Sequence, residues 1–203
     1  DDEAILGAIR ATSPPGPLSE SSERGGGKHR VLRVDVNGGW SREQAAALLP
    51  QLVRYDLELV EQPLPVGDIE GLRWLREQDF GVPIFADESI KCARDVVAHA
   101  GAVDGVVIKL MKSGGIRETL RAITVARALD MRVMLSCMVE STIAVTAAAH
   151  LAPLCDLVDL DGPLLIDPAA LPPAQRFQGV RYEDARLILP NGPGLGLIPY
   201  KEE

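Results

Sequence analysis

Short apolar runs recur along the chain, and each of the first four ends in a charged residue. They read Val31–Asp35, Leu57–Glu61, Pro83–Asp87 and Gly105–Lys109. Their ends lie about 25 residues apart, the length that a strand, a helix and two short loops need in a parallel crossover. Two further runs follow, Arg132–Ser136 and Leu157–Asp161. The pattern predicts buried parallel strands whose carboxyl ends carry the charged side chains.

The segments between these runs have helical signals. Ser41-Arg42-Glu43-Gln44 is a capping-box pattern, and Pro50 is expected to kink or shorten the helix that it starts. Asp68 is placed to cap the next helix. Apolar residues recur with a helical period over Ile116–Arg127, and a further helix is predicted over Thr142–Leu151.

This alternation predicts an α/β fold of about six βα units. An open doubly wound sheet satisfies the same pattern, but it gathers its functional groups at a switch point between two strands. Four successive strands that end in ionisable groups are better explained by a closed ring, in which all carboxyl ends face one site. A ring of this kind has eight strands, so the sequence predicts a partial TIM-like barrel.

Length, composition and charge indicate the number of domains and exclude some classes of binding partner. With 203 residues, 46% of them hydrophobic, the chain can bury one core, and we expect a single incomplete barrel domain over residues 1–203. Ser13–Lys28, rich in Pro, Ser and Gly, is expected to be a mobile loop. The net charge of −8 argues against a nucleic-acid partner. Without a long apolar run, and with only three cysteines, we expect no membrane association and a cytoplasmic location.

Three of the strand-end charges are carboxylates. Asp35, Glu61 and Asp87 on adjacent strands would repel one another unless a cation neutralises them. Oxygen ligands without His or Cys favour a hard divalent ion, so we expect one Mg²⁺ per site. The alternative for each acid taken alone is a surface salt bridge.

Lys109 ends the next strand. Desolvation and a nearby divalent cation both lower the pKa of a lysine, which makes it a usable general base. A surface lysine is the alternative, and Lys112 fits that description better. A metal and a lysine together suit removal of a proton next to a carboxylate, because the cation stabilises the resulting enediolate.

Four segments carry a further signal. They are Asp35-Val36-Asn37 with Trp40, Val60-Glu61-Gln62-Pro63-Leu64, Ala86-Asp87-Glu88-Ser89, and Ile108-Lys109-Leu110 with Gly114-Gly115. Together they resemble motifs of the enolase superfamily, in its muconate-lactonising subgroup, whose sites use Mg²⁺ and a lysine base. The resemblance implies Asp35, Glu61 and Asp87 as Mg²⁺ ligands and Lys109 as a catalytic acid/base. It also implies that Asn37 and Glu88 orient these groups.

Within that subgroup the sequence is most similar to the dipeptide epimerases. Asp159 and Asp161 fall where such enzymes hold the ammonium group of the substrate, and period-two spacing would put both on one face of a strand. A strand-end Asp that caps the following turn is the alternative. Ser136–Glu140 resembles the substrate-facing loop of the family. It implies substrate contacts for Cys137 and Met138, with Glu140 behind them, although a Met there is as often plain core.

The match also departs from the family. A Lys-x-Lys normally lies on the strand before the one bearing Asp35, and its second lysine works on the opposite face of the substrate carbon. This chain starts after that position, and Lys28-His29-Arg30 does not replace it because it leads into the Asp35 strand. We also expect these 203 residues to lack the capping domain of the family. We therefore expect an incomplete chain, whose exposed apolar flanks make it a homo-oligomer.

Three functions remain open on this evidence. The first is a Mg²⁺-dependent epimerase that acts on the α-carbon of a dipeptide through an enediolate. The second is a catalytically inactive truncated paralogue that serves as a binding or assembly partner. The third is a cycloisomerase or an o-succinylbenzoate-synthase-like lyase of the same superfamily, for which the pair Asp159 and Asp161 would be unexplained.

Overall fold

The computed structural model describes residues 31–183 and 186–200, and the loop predicted over residues 13–28 lies outside them. The chain divides into two compact units. The first unit comprises, among described residues, 31–89 and 99–105. The second unit comprises 90–98, 106–183 and 186–200.

Six strands form one sheet in the order in which they occur along the chain. They are β1 (Leu32–Asp35), β2 (Leu57–Glu61), β3 (Ile84–Ala86), β4 (Gly105–Lys109), β5 (Arg132–Ser136) and β6 (Leu157–Asp159). Strand β2 pairs in parallel with both β1 and β3, and β5 pairs in parallel with β6. The predicted α/β pattern of six successive units is confirmed, with strand bounds that differ by two residues at most.

Helices connect the strands, as parallel crossovers require. They are α1 (Arg42–Leu52), α2 (Ile69–Glu77), α3 (Ala93–Ala98), α4 (Leu110–Ser113), α5 (Ile116–Ala128) and α6 (Thr142–Ala149). No helix among the described residues has the length and apolar character that crossing a membrane requires.

Local sequence signals set the helix starts in the first unit. The Ser41 hydroxyl accepts from Gln44 N (3.2 Å) while Gln44 Oε1 accepts from Ser41 N (2.8 Å), so the predicted capping box is formed. Helix α1 continues through Pro50 but ends two residues later, where a 3₁₀ turn follows. The Asp68 carboxylate caps α2 by accepting from Gly71 N at 3.0 Å, as predicted.

An aspartate of the first unit joins the starts of two strands. Asp104 directly precedes β4, and its Oδ2 accepts from the backbone N of Ile84, the first residue of β3, at 2.9 Å. Its other oxygen accepts from Arg76 Nε of helix α2 at 2.7 Å. The contact ties a helix and two strand starts together at the end of the sheet opposite to the predicted site.

The second unit has the same kind of contact, in which an aspartate before a strand binds an arginine and the backbone of the neighbouring strand. Asp156 precedes β6, and its Oδ2 accepts from Val133 N of β5 at 2.7 Å. Arg127 of α5 donates from Nη1 to both Asp156 oxygens, at 2.9 and 2.8 Å. Burial works against the charged form, but these donors outweigh it and hold the pKa of Asp156 below its usual value.

The tail of the second unit folds into two small antiparallel pairs. Strand β7 (Phe177–Gln178) pairs with β10 (Ile198–Pro199), and β8 (Arg181–Glu183) pairs with β9 (Arg186–Ile188). The buried hydroxyl of Thr146 in α6 accepts from Val180 N at 2.9 Å, which fastens the tail to this helix.

Candidate functional site

The three predicted metal carboxylates all lie in the first unit, at the carboxyl ends of neighbouring strands. Asp35 on β1 is the register partner of Glu61 on β2. Glu61 in turn is the partner of Phe85 on β3, two residues before Asp87. Glu61 and Asp87 are only 7% and 1% exposed, whereas Asp35 is exposed. The strand ends are therefore placed side by side, as the sequence predicted.

The Asp35 carboxylate is oriented locally. Its Oδ1 accepts from the backbone N of Asn37 at 2.9 Å. Asn37 has a φ of +50°, which Asn tolerates better than most residues. We predicted an orienting role for Asn37, and the contact found is made by its main chain. Glu88, for which we predicted a similar role, is partly buried next to Asp87.

The donor set fits a hard cation in chemistry and in strand placement. Asp35 and Glu61 share a register position, and the two buried carboxylates are the kind of group that a cation stabilises. As the side chains stand, however, no group of three or more His, Cys, Asp or Glu residues within 31–183 and 186–200 is arranged to hold a metal ion.

Gln62, to which the sequence motif assigned no role, directly follows Glu61 and is fully buried. Its side-chain oxygen accepts from Asp87 N at 2.9 Å and from Ser89 N at 3.3 Å. A polar residue between a strand-end acid and Pro63 is the signal that could have drawn attention to it. Its partners could not have been named without the fold.

Lys109 ends β4 in the second unit and is partly exposed. Its positive charge acts on the Glu140 carboxylate of the same unit. Lys112, predicted to be an ordinary lysine, donates from Nζ to the carbonyl of Val107 at 3.5 Å.

The loop after β5 holds the predicted substrate-facing residues. Glu140 is buried, and its Oε1 accepts from Met138 N at 3.0 Å. Its Oε2 has no hydrogen-bond partner among the residues that the structure describes. Burial raises the pKa of Glu140, although the Met138 N–H and the charge of Lys109 oppose this. Met138 itself is 50% exposed, so it is not a core residue.

Cys137 lies against the loop that follows β6. Its sulfur accepts from Gly162 N at 3.3 Å. Burial raises the pKa of the Cys137 thiol, and the charges of Glu140, Asp161 and Asp159 add to this. The structure thus brings four predicted residues of the second unit into one cluster.

One expectation about this cluster is wrong in detail. Strand β6 ends at Asp159, and Asp161 has helical angles (φ −93°, ψ −8°) as the N-cap of a 3₁₀ turn over Gly162–Leu165. The period-two rule therefore does not apply to Asp161. The cause is local, because Gly162-Pro163 favours a turn and Pro is well suited to its first positions.

Tyr182, a second residue that the sequence analysis missed, supports the same loop. Its hydroxyl donates to the carbonyl of Leu160 at 2.6 Å, between the two aspartates in sequence. Burial raises the pKa of Tyr182 to about 12, with smaller contributions from Cys137 and Asp161. The group therefore stays protonated and keeps donating at neutral pH.

Comparison with known proteins decides the family. The model of the family described as "Enolase C-terminal domain-like" matches residues 22–203. The chain belongs to this family. Its predicted kinship with the enolase superfamily and its partial barrel fold are thereby confirmed.

The relatives of this enolase-type domain include dipeptide epimerases. An L-Ala-D/L-Glu epimerase of Bacteroides thetaiotaomicron is 39% identical over 168 residues, which are 82% of this chain and 42% of the relative. A hydrophobic dipeptide epimerase of Roseobacter litoralis is 40% identical over 194 residues, 93% of this chain and 54% of the relative. A muconate cycloisomerase 1 of Rhodococcus opacus is 35% identical over 172 residues, 82% and 44% of the two chains.

Solved structures agree. The substrate-liganded L-Ala-D/L-Glu epimerase of Bacillus subtilis matches with a TM-score of 0.81 and 30% identity, over 97% of this chain and 52% of that one. The dipeptide epimerase of Cytophaga hutchinsonii, complexed with Mg and the dipeptide D-Ala-L-Val, matches with a TM-score of 0.75 and 31% identity, over 85% and 47%. This chain therefore spans about half the length of the relatives it matches.

Proposed function

We propose that the protein is a Mg²⁺-dependent dipeptide epimerase that inverts the α-carbon of one residue through an enediolate. The observation that carries the proposal is the side-by-side placement of the three strand-end carboxylates, two of them buried, in a chain related to dipeptide epimerases. The proposal covers the whole protein, since these 203 residues span about half of each relative.

Asp35, Glu61 and Asp87 would hold the ion. When bound, Mg²⁺ supplies positive charge that stabilises the enediolate form of the substrate. Without such charge the α-proton next to a carboxylate is too weakly acidic to be removed at neutral pH.

Lys109 has the role of moving the α-proton on one face of the substrate carbon. Inversion needs a second base on the other face, and we assign none among residues 31–183 and 186–200. Asp159 and Asp161 would receive the ammonium group of the dipeptide through charge-assisted hydrogen bonds. Met138 and Cys137, on the neighbouring loop, would face the substrate side chain, with Glu140 behind them.

Cycloisomerisation is the second candidate, because a muconate cycloisomerase is also among the relatives. That reaction also passes through an enolate that Mg²⁺ can stabilise. It uses no ammonium group, however, and would leave the acidic cluster around Cys137 without a substrate partner. The aspartate pair therefore favours a dipeptide.

The test measures Mg²⁺-dependent uptake of deuterium at the α-carbon of dipeptides by the whole protein, including any sequence that flanks these 203 residues. We expect Lys109→Ala to abolish exchange from one stereoisomer only, because a lysine reaches a single face. Lys112→Ala, three residues away, is the matched control and should leave exchange from both isomers. Exchange that persists from both isomers in Lys109→Ala would remove the lysine from the mechanism.

A further inference from the structure

Gln62 is the point at which the main chains of all three carboxylate-bearing segments of the first unit meet. Its backbone N–H donates to the carbonyl of Phe85 on β3 at 2.8 Å. Its backbone carbonyl accepts from Gly38 N, in the loop after Asp35, at 2.7 Å. Its side-chain oxygen accepts from the backbone N of Asp87 and of Ser89. One buried residue thus contacts the chain on both sides of its own strand.

The Gln62 side chain accepts the hydrogen bond that the Gln62 backbone carbonyl would accept from β3 in a regular sheet. In a regular parallel ladder the N–H two residues after Phe85 would donate to the carbonyl of Gln62. The Gln62 carbonyl accepts from Gly38 N instead. The Asp87 N–H therefore donates to the side-chain oxygen Oε1 of Gln62. The side-chain nitrogen donates to Leu64 O at 2.8 Å, which fixes the orientation of the amide. Because the amide nitrogen donates and the amide oxygen accepts, the flipped orientation of the Gln62 amide would lose both hydrogen bonds.

The backbone of Gln62 is also held in an unfavourable conformation. Its φ is +35°, in the left-handed region that side-chain-bearing residues rarely adopt. Such angles persist only where the surroundings impose them, and they concentrate at functional sites. The strain turns the carbonyl toward Gly38, and the side chain makes up the lost contact with the next strand.

We infer that Gln62 is a positioning residue that fixes the ends of β2 and β3 relative to each other, and thereby sets the separation of the Glu61 and Asp87 carboxylates. Its consequence for metal affinity rests on the proposed function. The positioning itself does not, because it consists of hydrogen bonds within the first unit. Residues that orient ligands typically change metal affinity by about 10- to 100-fold when they are replaced.

The first experiment measures hydrogen exchange of single backbone amides by NMR, on the full chain without added metal. Asp87 N–H and Ser89 N–H lie beyond the end of β3, so their protection in the unmodified protein depends on Gln62. Gln62→Met keeps the length of the side chain and removes its acceptor. We expect exchange at these two amides to speed up about five- to tenfold.

Two controls distinguish a local effect of Gln62 on the Asp87 and Ser89 amides from a general loss of stability. Gln78→Met removes an exposed side-chain amide that donates to Trp74 O of helix α2, and it should leave both amides unchanged. The amides of Met134 and Leu135, in β5 of the second unit, should also be unchanged in Gln62→Met. If Gln62→Met does not fold, the unmodified chain still decides, because unprotected Asp87 and Ser89 amides would overturn the inference.

The second experiment titrates Mn²⁺, as a paramagnetic probe for the proposed Mg²⁺ site, and follows free Mn²⁺ by its electron paramagnetic resonance signal. We expect Gln62→Met to weaken binding at least about tenfold. If the unmodified chain binds no Mn²⁺ while Gln62→Met still exposes the two amides, the proposed metal site is wrong and the positioning role stands. Equal exchange and equal binding in all variants would refute the positioning role.

Discussion

Strand β4 begins under the ring of Phe85, and this contact allows a stability prediction with a definite sign. Phe85 is fully buried on β3, two residues before Asp87. A methyl group added at Gly105 would come within 2.4 to 2.6 Å of three atoms of this ring. Real carbon atoms do not approach so closely, so the ring or the strand must move.

The magnitudes follow from this geometry. Gly105→Ala should cost about 1–3 kcal/mol of unfolding free energy, the usual cost of overpacking a core. Phe85→Ala should cost about 3–5 kcal/mol, because it leaves a cavity beneath the site. In the double variant the added methyl group enters that cavity, and Ala fits a strand better than Gly by about 0.5–1 kcal/mol. The double variant should therefore be no less stable than Phe85→Ala alone.

Urea unfolding of the four proteins, followed by tryptophan fluorescence, measures the coupling. We expect a coupling free energy of about 1–3 kcal/mol in favour of the double variant. Effects that add to within about 0.5 kcal/mol would show that the two positions do not compete for the same space. The reasoning about this contact would then be refuted.

Two further predictions concern local contacts. Asp156→Asn should lower stability by about 1 kcal/mol at pH 7 by weakening the Arg127 pair. Because the folded pKa of Asp156 lies below its usual value, the contribution is present above the unfolded pKa, about 4, and is lost as pH falls through the lower folded value. Thermal unfolding should show the gap between variant and wild type closing below about pH 4, and a constant gap to about pH 2 would contradict this assignment. Ser41→Ala should cost about 1 kcal/mol by removing a capping box, and Ser141→Ala should cost less, because its contact with Ala144 N is 3.5 Å long. Denaturation that ranks the two serines in the opposite order would argue against the box.

The strands could be predicted because apolar runs, most of them ending in a charged residue, indicate their bounds. Apolar runs define where burial begins, and in β2 and β4 the charged last residue defines where it stops, so the bounds of these two strands agree residue for residue with the sequence pattern. The bounds of β5 agree as well, although its apolar run ends at a serine. Helix starts at Ser41 and Asp68 were equally clear, since capping depends on neighbours within about three residues.

Contacts that depend on register or on main-chain angles could not be predicted. The role of Gln62 arises from a positive φ and from hydrogen bonds to a strand about 25 residues away. Asn37 orients Asp35 through a backbone N–H, which any residue type except proline carries. Asp161 was placed on a strand because its spacing from Asp159 matched a strand, although the Gly-Pro that follows it already indicated a turn.

Two aspartates of the second unit have different surroundings because one lies at the start of a strand and the other at its end. Asp156 directly precedes the short strand β6, and Asp159 is the last residue of that strand. Asp156, at the strand start, accepts from Arg127 and Val133 and holds a helix to the sheet. Asp159, at the strand end, lies near Cys137, where burial and acidic neighbours oppose ionisation of the thiol. In a βα barrel the starts of strands serve stability and their ends serve chemistry. The first carboxylate therefore bears on folding, while the second lies at the end of the strand where the proposed function puts the ammonium group of the substrate.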